Sequence, residues 1–158
     1  MTQFKGTHLA RRDGKGRVSI PAAFRAVLNG DHPANQPLIL RPSHKHACVE
    51  GWHPADFAAQ GAQVQQLPRF SDEEDDLALA LYSDAVDADP DREGRVVLSS
   101  ELAGHAGISN DVTFVGAGSH FQIWEPLAAQ RRIAEARERA RVLRMTLPPL
   151  PLAAGGGK

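Results

Sequence analysis

The phrase Asp-x-x-Gly-Arg occurs twice in this chain, as "DGKGR" at Asp13–Arg17 and as "DREGR" at Asp91–Arg95. The copies are 78 residues apart, and at that offset Gly16 falls on Gly94, Arg17 on Arg95, Val18 on Val96, Ile20 on Leu98 and Phe24 on Leu102. A duplication constrains a chain more than any single motif, because both copies must find the same local structure and equivalent partners. Two copies are too few for a solenoid, which needs about three or more repeats. They predict two halves related by a pseudo-twofold axis.

Each copy carries the same succession of signals. "GTHLARR" is a short extended run, and "DGKG" after it is turn chemistry: the Asp side chain can accept bonds from backbone two residues on, and Gly tolerates positive φ. "RVSI" alternates, with Val18 and Ile20 on one face and Arg17 and Ser19 on the other. Two strands around a glycine-containing turn predict a hairpin. Pro21 opens a helix with Phe24, Val27 and Leu28 on one face, and Asn29-Gly30 stops it. "PLIL" and "ACVEGW" read as strands. In the second copy "RVVL" is the strand, Ser99 or Ser100 caps a short helix carrying Leu102, and Gly104 and Gly107 end it. "DVTFV" and "FQIWE" form a hairpin around "GAGSH". Pro90 lacks an amide donor, which predicts an edge position or a shortened strand before the second turn.

Between the copies, Ser71 and Glu74 form a capping box, and the acidic residues that follow suit the positive end of a helix dipole. A helix is expected from about Asp72 to Ser83. Pro126 opens a basic helix with a thin apolar stripe of Leu127, Ile133, Ala134, Ala140 and Leu143. The closing "PPLPLAAGGGK" is expected to be disordered.

The formal net charge of −1 conceals segregation. Met1 to Arg25 holds Lys5, Arg11, Arg12, Lys15, Arg17 and Arg25 against Asp13 alone; every charged residue from Ser71 to Asp91 is acidic; Arg131 to Arg144 is basic again. A cationic head is therefore available to an anionic partner despite the near-zero sum. The single cysteine, Cys48, excludes an internal disulfide framework and fits a reducing compartment. The start "MTQFKGTHLARRD" has no apolar run behind its basic residues, and no window has the roughly 20 apolar residues of a membrane helix. The expectation is a soluble cytoplasmic protein with no membrane partner.

"FKGTHLARRDGKGRVSIPAAFR" together with "DREGRVVLSSELAGHAGISNDVTFVGAGSHFQIWEP" resembles the MraZ family, bacterial transcriptional regulators built from two tandem AbrB-like domains. The resemblance covers Phe4 to Pro126. It implies a mixed α+β fold, mainly β, of two pseudosymmetric AbrB-like swapped-hairpin β-barrel halves with short helices. The corresponding division is 1–57 for the first AbrB-like domain, 58–85 for a linker with the acidic helix, 86–130 for the second domain, and 131–158 for the basic helix and disordered tail. It further implies a ring-shaped homo-oligomer, nucleoid-associated, that binds short direct repeats of double-stranded DNA in the promoter of its own division and cell-wall operon, usually as a repressor. The chain departs from the family pattern at Ser99, where proline is common, and at Pro90, where an apolar strand residue is common.

The residues support DNA contact in their own right. A turn that projects Lys15 and Arg17 can aim an arginine at guanine O6 and N7 in the major groove. Lys5, Arg11 and Arg12 are placed to contact phosphates, which position but do not specify. Arg95 is the counterpart of Arg17, and Arg92 is a further candidate in the second turn, where Asp89, Asp91 and Glu93 would repel phosphate, so the first turn is expected to dominate. Asp13, Gly16, Asp91 and Gly94 are the turn-forming residues, and Arg17 can also pair with Asp13. The alternative function is a protein-interaction module with incidental DNA contact, which the acidic middle favours.

Other chemistry finds less support. His44, His46 and Cys48 alternate, and His53 follows, but the spacing is not that of a closed zinc site, so no metal is expected. "VGAGSH" contains Gly-x-Gly but is followed by a strand pattern rather than a helix, so no dinucleotide or other cofactor is expected. Ser119 and His120 would face opposite ways in a strand. With no paired carboxylates and no small-molecule substrate site, no enzymatic activity is expected.

Overall fold

The computed structural model describes residues 3–151. Eight strands and five helices follow in the order β1 (Thr7–Arg11), β2 (Arg17–Ser19), α1 (Ala22–Asn29), β3 (Leu38–Pro42), β4 (Val49–Trp52), α2 (Pro54–Val64), α3 (Asp72–Tyr82), β5 (Val86–Ala88), β6 (Arg95–Val97), α4 (Ser100–His105), β7 (Asp111–Gly116), β8 (Phe121–Trp124) and α5 (Pro126–Val142). Six strands form one antiparallel sheet in the order β1-β7-β8-β4-β3-β5, and β2 pairs with β6 in a separate two-stranded ribbon.

The sheet order exposes the duplication. The repeat equates β1 with β5, β2 with β6, β3 with β7 and β4 with β8. Exchanging each strand for its counterpart turns the six-strand order into its own reverse. The pseudo-twofold axis therefore passes between β4 and β8 and through the ribbon, where Val18 lies opposite Val96. The halves are interleaved: β1 pairs with β7, β5 with β3, and β2 with β6.

The hairpin expected around the first turn forms only at its base. The Asp13 amide donates to the Arg17 carbonyl at 2.9 Å, and then the arms part, β1 to β7 and β2 to β6. Crossing the axis buries Val18 and Val96 against each other's half. It also pairs the Ile20 amide with the Gly94 carbonyl and the Leu98 amide with the Gly16 carbonyl, at 2.9 and 2.7 Å. The two turns thus close on each other rather than each on its own strands.

The core lies between this ribbon, α1, α4 and the sheet. Phe24 is stacked on Phe121 with centroids 5.3 Å apart, and Phe4 meets both rings edge-on. Phe4 reaches this cluster because the N-terminal segment crosses the β7–β8 turn, exchanging backbone bonds with Gly118. A Cβ at Gly116 would stand 2.4 Å from the Lys5 nitrogen, so the Gly-x-Gly there serves close backbone passage. A satellite cluster joins Cys48, Trp124 and Ala129.

Helix signals fare unevenly. Ser71 caps α3 by accepting from the Glu74 amide, but Glu74 returns its bond to the Phe70 amide instead of that of Ser71. Ser99 caps α4, and Gly104 sits inside that helix, leaving Gly107 at φ 65° beyond its end. β5 is three residues long and lies at a sheet edge, as Pro90 requires. α2, which begins at Pro54 with the His53 ring as its cap, runs on into the segment 58–85 expected as a linker with an acidic helix. Only Ala129 of α5 is buried. Of the expected disordered tail, residues 148–151 carry no regular structure and 152–158 lie outside the described residues.

Candidate nucleic-acid interface

The two turns are near-copies at atomic detail. Asp13 Oδ1 accepts from the amides of Lys15 and Arg17 at 2.9 and 2.8 Å, and Oδ2 accepts from Arg17 Nε at 2.8 Å. Asp91 Oδ1 accepts from the amides of Glu93 and Arg95, both at 2.9 Å, and Oδ2 from Arg95 Nε at 2.8 Å. One carboxylate therefore closes the turn and aims the arginine. Gly16 and Gly94, at φ 79° and 80°, take the left-handed conformation that lets the chain reverse in so few residues. The amide of Arg17 holds the Asp13 carboxyl below the ordinary carboxylate range, and that of Arg95 does the same for Asp91.

The difference between the turns lies in what remains of each guanidinium. Arg17 gives Nε to Asp13, and neither terminal nitrogen has a protein partner among the described residues. Arg95 gives Nε to Asp91 and one terminal nitrogen to Glu93, at 3.1 Å. Those two carboxylates, Asp91 first, raise its pKa further. A bidentate end-on contact with guanine needs two free donors in one plane. Both terminal nitrogens of Arg17 are open, whereas one of those of Arg95 is shared with the exposed Glu93 carboxylate. The exposed Lys15 has Glu93 as its counterpart, so the charge of the second turn is lower still.

Of the other expected contacts, Arg11 is exposed beside the first turn and pairs with Asp111 at 3.3 Å. Arg12 is drawn inward: Nε and a terminal nitrogen donate to the Leu98 carbonyl at 3.2 and 2.9 Å, over Gly16. Lys5 is not brought to the turn. It lies beside Gly116 at the far end of β1. Arg92 is exposed beside Glu93.

Sequence reasoning missed Arg25. From α1 its Nε donates to the Ile20 carbonyl at 3.1 Å, and its side chain lies over Gly94. Ile20 and Leu98 are repeat counterparts, so Arg25 does for one turn what Arg12 does for the other. The arginines themselves are not counterparts: Pro90 stands where a second Arg12 would be. A glycine with no room for a Cβ was the sole signal, and it is visible only in three dimensions.

The side chains weighed for other chemistry are dispersed. His44 is exposed and His46 half-buried in the β3–β4 turn, while Cys48 is buried, so the strand alternation that would align them does not form. Burial pushes the Cys48 thiol up to about 12. Ser119 and His120 also lie in a turn, not a strand, and their side chains hydrogen-bond at 3.1 Å. His120 is stacked on Trp52 with centroids 4.4 Å apart, and desolvation lowers its pKa. Among the described residues no three His, Cys, Asp or Glu side chains group as metal ligands, and no helix is long and apolar enough to cross a membrane.

The family model described as "MraZ protein, putative antitoxin-like" matches residues 3–79 and again 81–142, once for each half. The chain belongs to the MraZ family. Among its relatives, the "Transcriptional regulator MraZ" of Gluconacetobacter diazotrophicus is 54% identical over 144 residues, covering 90% of this chain and 91% of that protein. The protein of the same name from Gluconobacter oxydans is 46% identical over 157 residues, covering 99% and 96%. That from Azorhizobium caulinodans is 41% identical over 147 residues, covering 93% and 92%. The two matched segments of the MraZ model divide close to the boundary between α3 and β5, where the repeat begins again.

Proposed function

We propose that this chain is a sequence-specific, DNA-binding transcriptional regulator whose reading head is the first turn, with Arg17 on base edges and Lys15 and Arg11 on the backbone. The observation that carries this is the state of Arg17: locked at Nε by Asp13 and open at both terminal nitrogens. Pre-orientation lowers the entropy that a long side chain loses on binding. The names of the relatives, which are those of regulators and not of enzymes, support the same reading.

One turn offers too few contacts for useful affinity. The proposal therefore includes a ring-shaped homo-oligomer that sets several first turns against direct repeats spaced by about one helical turn, roughly 10 bp. Its target is the promoter of its own division and cell-wall operon, which it represses from the cytoplasm at the nucleoid. The interleaved pairing of β1 with β7 and β2 with β6 supports an AbrB-like swapped arrangement of the two halves. Residues 1–57 and 86–130 are in this view duplicated units sharing one sheet, joined through 58–85 and followed by the basic segment 131–158.

The experiment is fluorescence anisotropy of the purified protein with the duplex upstream of its own gene, beside a shuffled duplex, at several salt concentrations. Preference for the native duplex with a steep salt slope supports the proposal. Equal, weak binding to both duplexes counts against it and favours a protein partner.

A further inference from the structure

Beside the second turn, a cleft of about 560 Å³ opens between α1, the loop that follows it and the base of the turn, with Arg25 and Arg92 on its walls. Its frame is fixed. Asn29 donates through Nδ2 to Asn35 Oδ1 at 3.2 Å, and Asn35 donates through Nδ2 to the Asp91 carbonyl at 2.9 Å. Pro33 and Pro90 stiffen the two sides. Arg25 is anchored at Nε on the Ile20 carbonyl, which leaves its terminal nitrogens without a protein partner among the described residues. The one acidic residue on the wall is Asp91, and its carboxylate is already bound by two amides and by Arg95 Nε. Two arginines thus line a polar cleft whose one acidic side chain is engaged elsewhere.

We propose that this cleft binds a backbone phosphate of the DNA duplex. The inference rests on the DNA-binding reading above and gives the second turn a different task from the first. Arg95 shares one terminal nitrogen with Glu93 and stands between two carboxylates, so it is less available than Arg17 for a two-pronged base contact. Arginine forks match phosphate oxygens as well as base edges, and phosphate contacts fix register without carrying sequence. The duplicated turns have therefore diverged: the first reads, and the second, through Arg25 and Arg92, holds the backbone.

The test is the Arg92→Gln substitution in the full chain, since Arg25 also supports the turn. Anisotropy titrations with native and shuffled duplexes over a range of salt are expected to show equal weakening on both. The slope of log K against log salt should shallow by about 0.9 for each cleft that contacts the duplex, with base preference retained. Arg92→Glu should deepen the loss. An unchanged slope overturns the assignment to DNA, and if inorganic phosphate then shifts the Asn35 side-chain NMR signal, the cleft serves a free anion instead. Loss of base preference rather than of slope also overturns it. A wild-type protein that binds both duplexes alike, with a slope that still depends on Arg92, refutes the sequence-reading function and leaves the cleft standing. No DNA binding at all refutes both.

Discussion

Arg17 and Asp13 meet at 2.8 Å through Nε alone, so the ion pair that holds the turn is also the clamp that points two unbonded nitrogens outward. A structural and a recognition role coexist in one side chain because a guanidinium has five donors and the aspartate uses one. Arg17→Ala should lower affinity for the native duplex by about 1–3 kcal/mol and flatten base preference. Arg17→Lys should recover part of the affinity but not the preference, since an ammonium has no planar fork. Anisotropy on native and shuffled duplexes measures both. A folded Arg17→Ala protein with undiminished preference would remove this residue from the reading head.

In the second turn the same reasoning predicts a gain. Glu93→Gln removes a negative charge from the second turn and weakens the hold on the Arg95 terminal nitrogen, now ion-paired at 3.1 Å. DNA affinity should rise, most visibly at low salt, where screening is least. The comparison is a pair of salt titrations of parent and variant; equal curves would mean that the second turn stays clear of the duplex.

The turn carboxylates should also govern acid stability. Bonds from the Arg17 and Arg95 amides depress the folded pKa of Asp13 and Asp91 below the ordinary value of 3.8. A depressed carboxylate stabilises the fold fully above its unfolded pKa and loses that contribution as pH falls through the folded value. The melting temperature should accordingly hold through mildly acidic pH and fall below about pH 4. Asp13→Asn with Asp91→Asn should melt lower at neutral pH and show a shallower acid decline. Circular dichroism melts across the pH range test this, and an identical acid slope in the double variant would count against it.

What the sequence could reveal divides along the line between local and long-range physics. Turn chemistry, the α3 cap and the alternation of β2 are contained in a few neighbouring residues, and they stand where expected. Which strand pairs with which is not local: "THLAR" looks the same whether it pairs with β2 or with β7, and the choice shows only in the folded sheet, where β1 lies along β7 and Val18 opposite Val96. α2 is hard to read from the sequence because its Ala-rich, Gly61-containing run has a weak apolar period. The Trp-x-Pro phrase at Trp52–Pro54, repeated at Trp124–Pro126 before α5, was the available signal. Arg12 and Arg25 differ for a similar reason. A basic residue near a turn looks like a phosphate contact, and a basic residue in a helix looks solvated, until the carbonyls of Leu98 and Ile20 are placed beside them.

Cys48 offers a chemical probe of the satellite core. With its thiol pushed up to about 12 by burial beside Trp124 and Ala129, it should stay protonated and unreactive toward a disulfide reagent at neutral pH. Unfolding in guanidinium chloride should release ordinary thiol reactivity. Rapid labelling of the native protein would show that the β3–β4 turn and α5 open readily in solution.

The buried pair of Arg41 and Glu50 gives the sharpest stability prediction. Arg41 on β3 is 1% exposed, faces Glu50 on β4 in register and ion-pairs with it at 2.8 Å, while the same terminal nitrogen donates to Gln60 Oε1 at 3.4 Å. Glu50 also accepts from Trp52 Nε1 at 2.9 Å, while Arg41 Nε and one terminal nitrogen have no partner. Desolvation lowers the Arg41 pKa, and Glu50 opposes the shift. Removing one member leaves the other charge buried alone, so Glu50→Ala should destabilise by about 3–5 kcal/mol. Replacing both, Arg41→Met with Glu50→Leu, should recover most of that loss, because an apolar pair of similar volume carries no desolvation cost. What stays lost is the acceptor for Trp52, about 1–3 kcal/mol. Urea denaturation of the parent, single and double variants at one fixed protein concentration measures the difference. A double variant no more stable than Glu50→Ala would mean that the ion pair contributes net stability in its own right, rather than merely requiring both partners to be present.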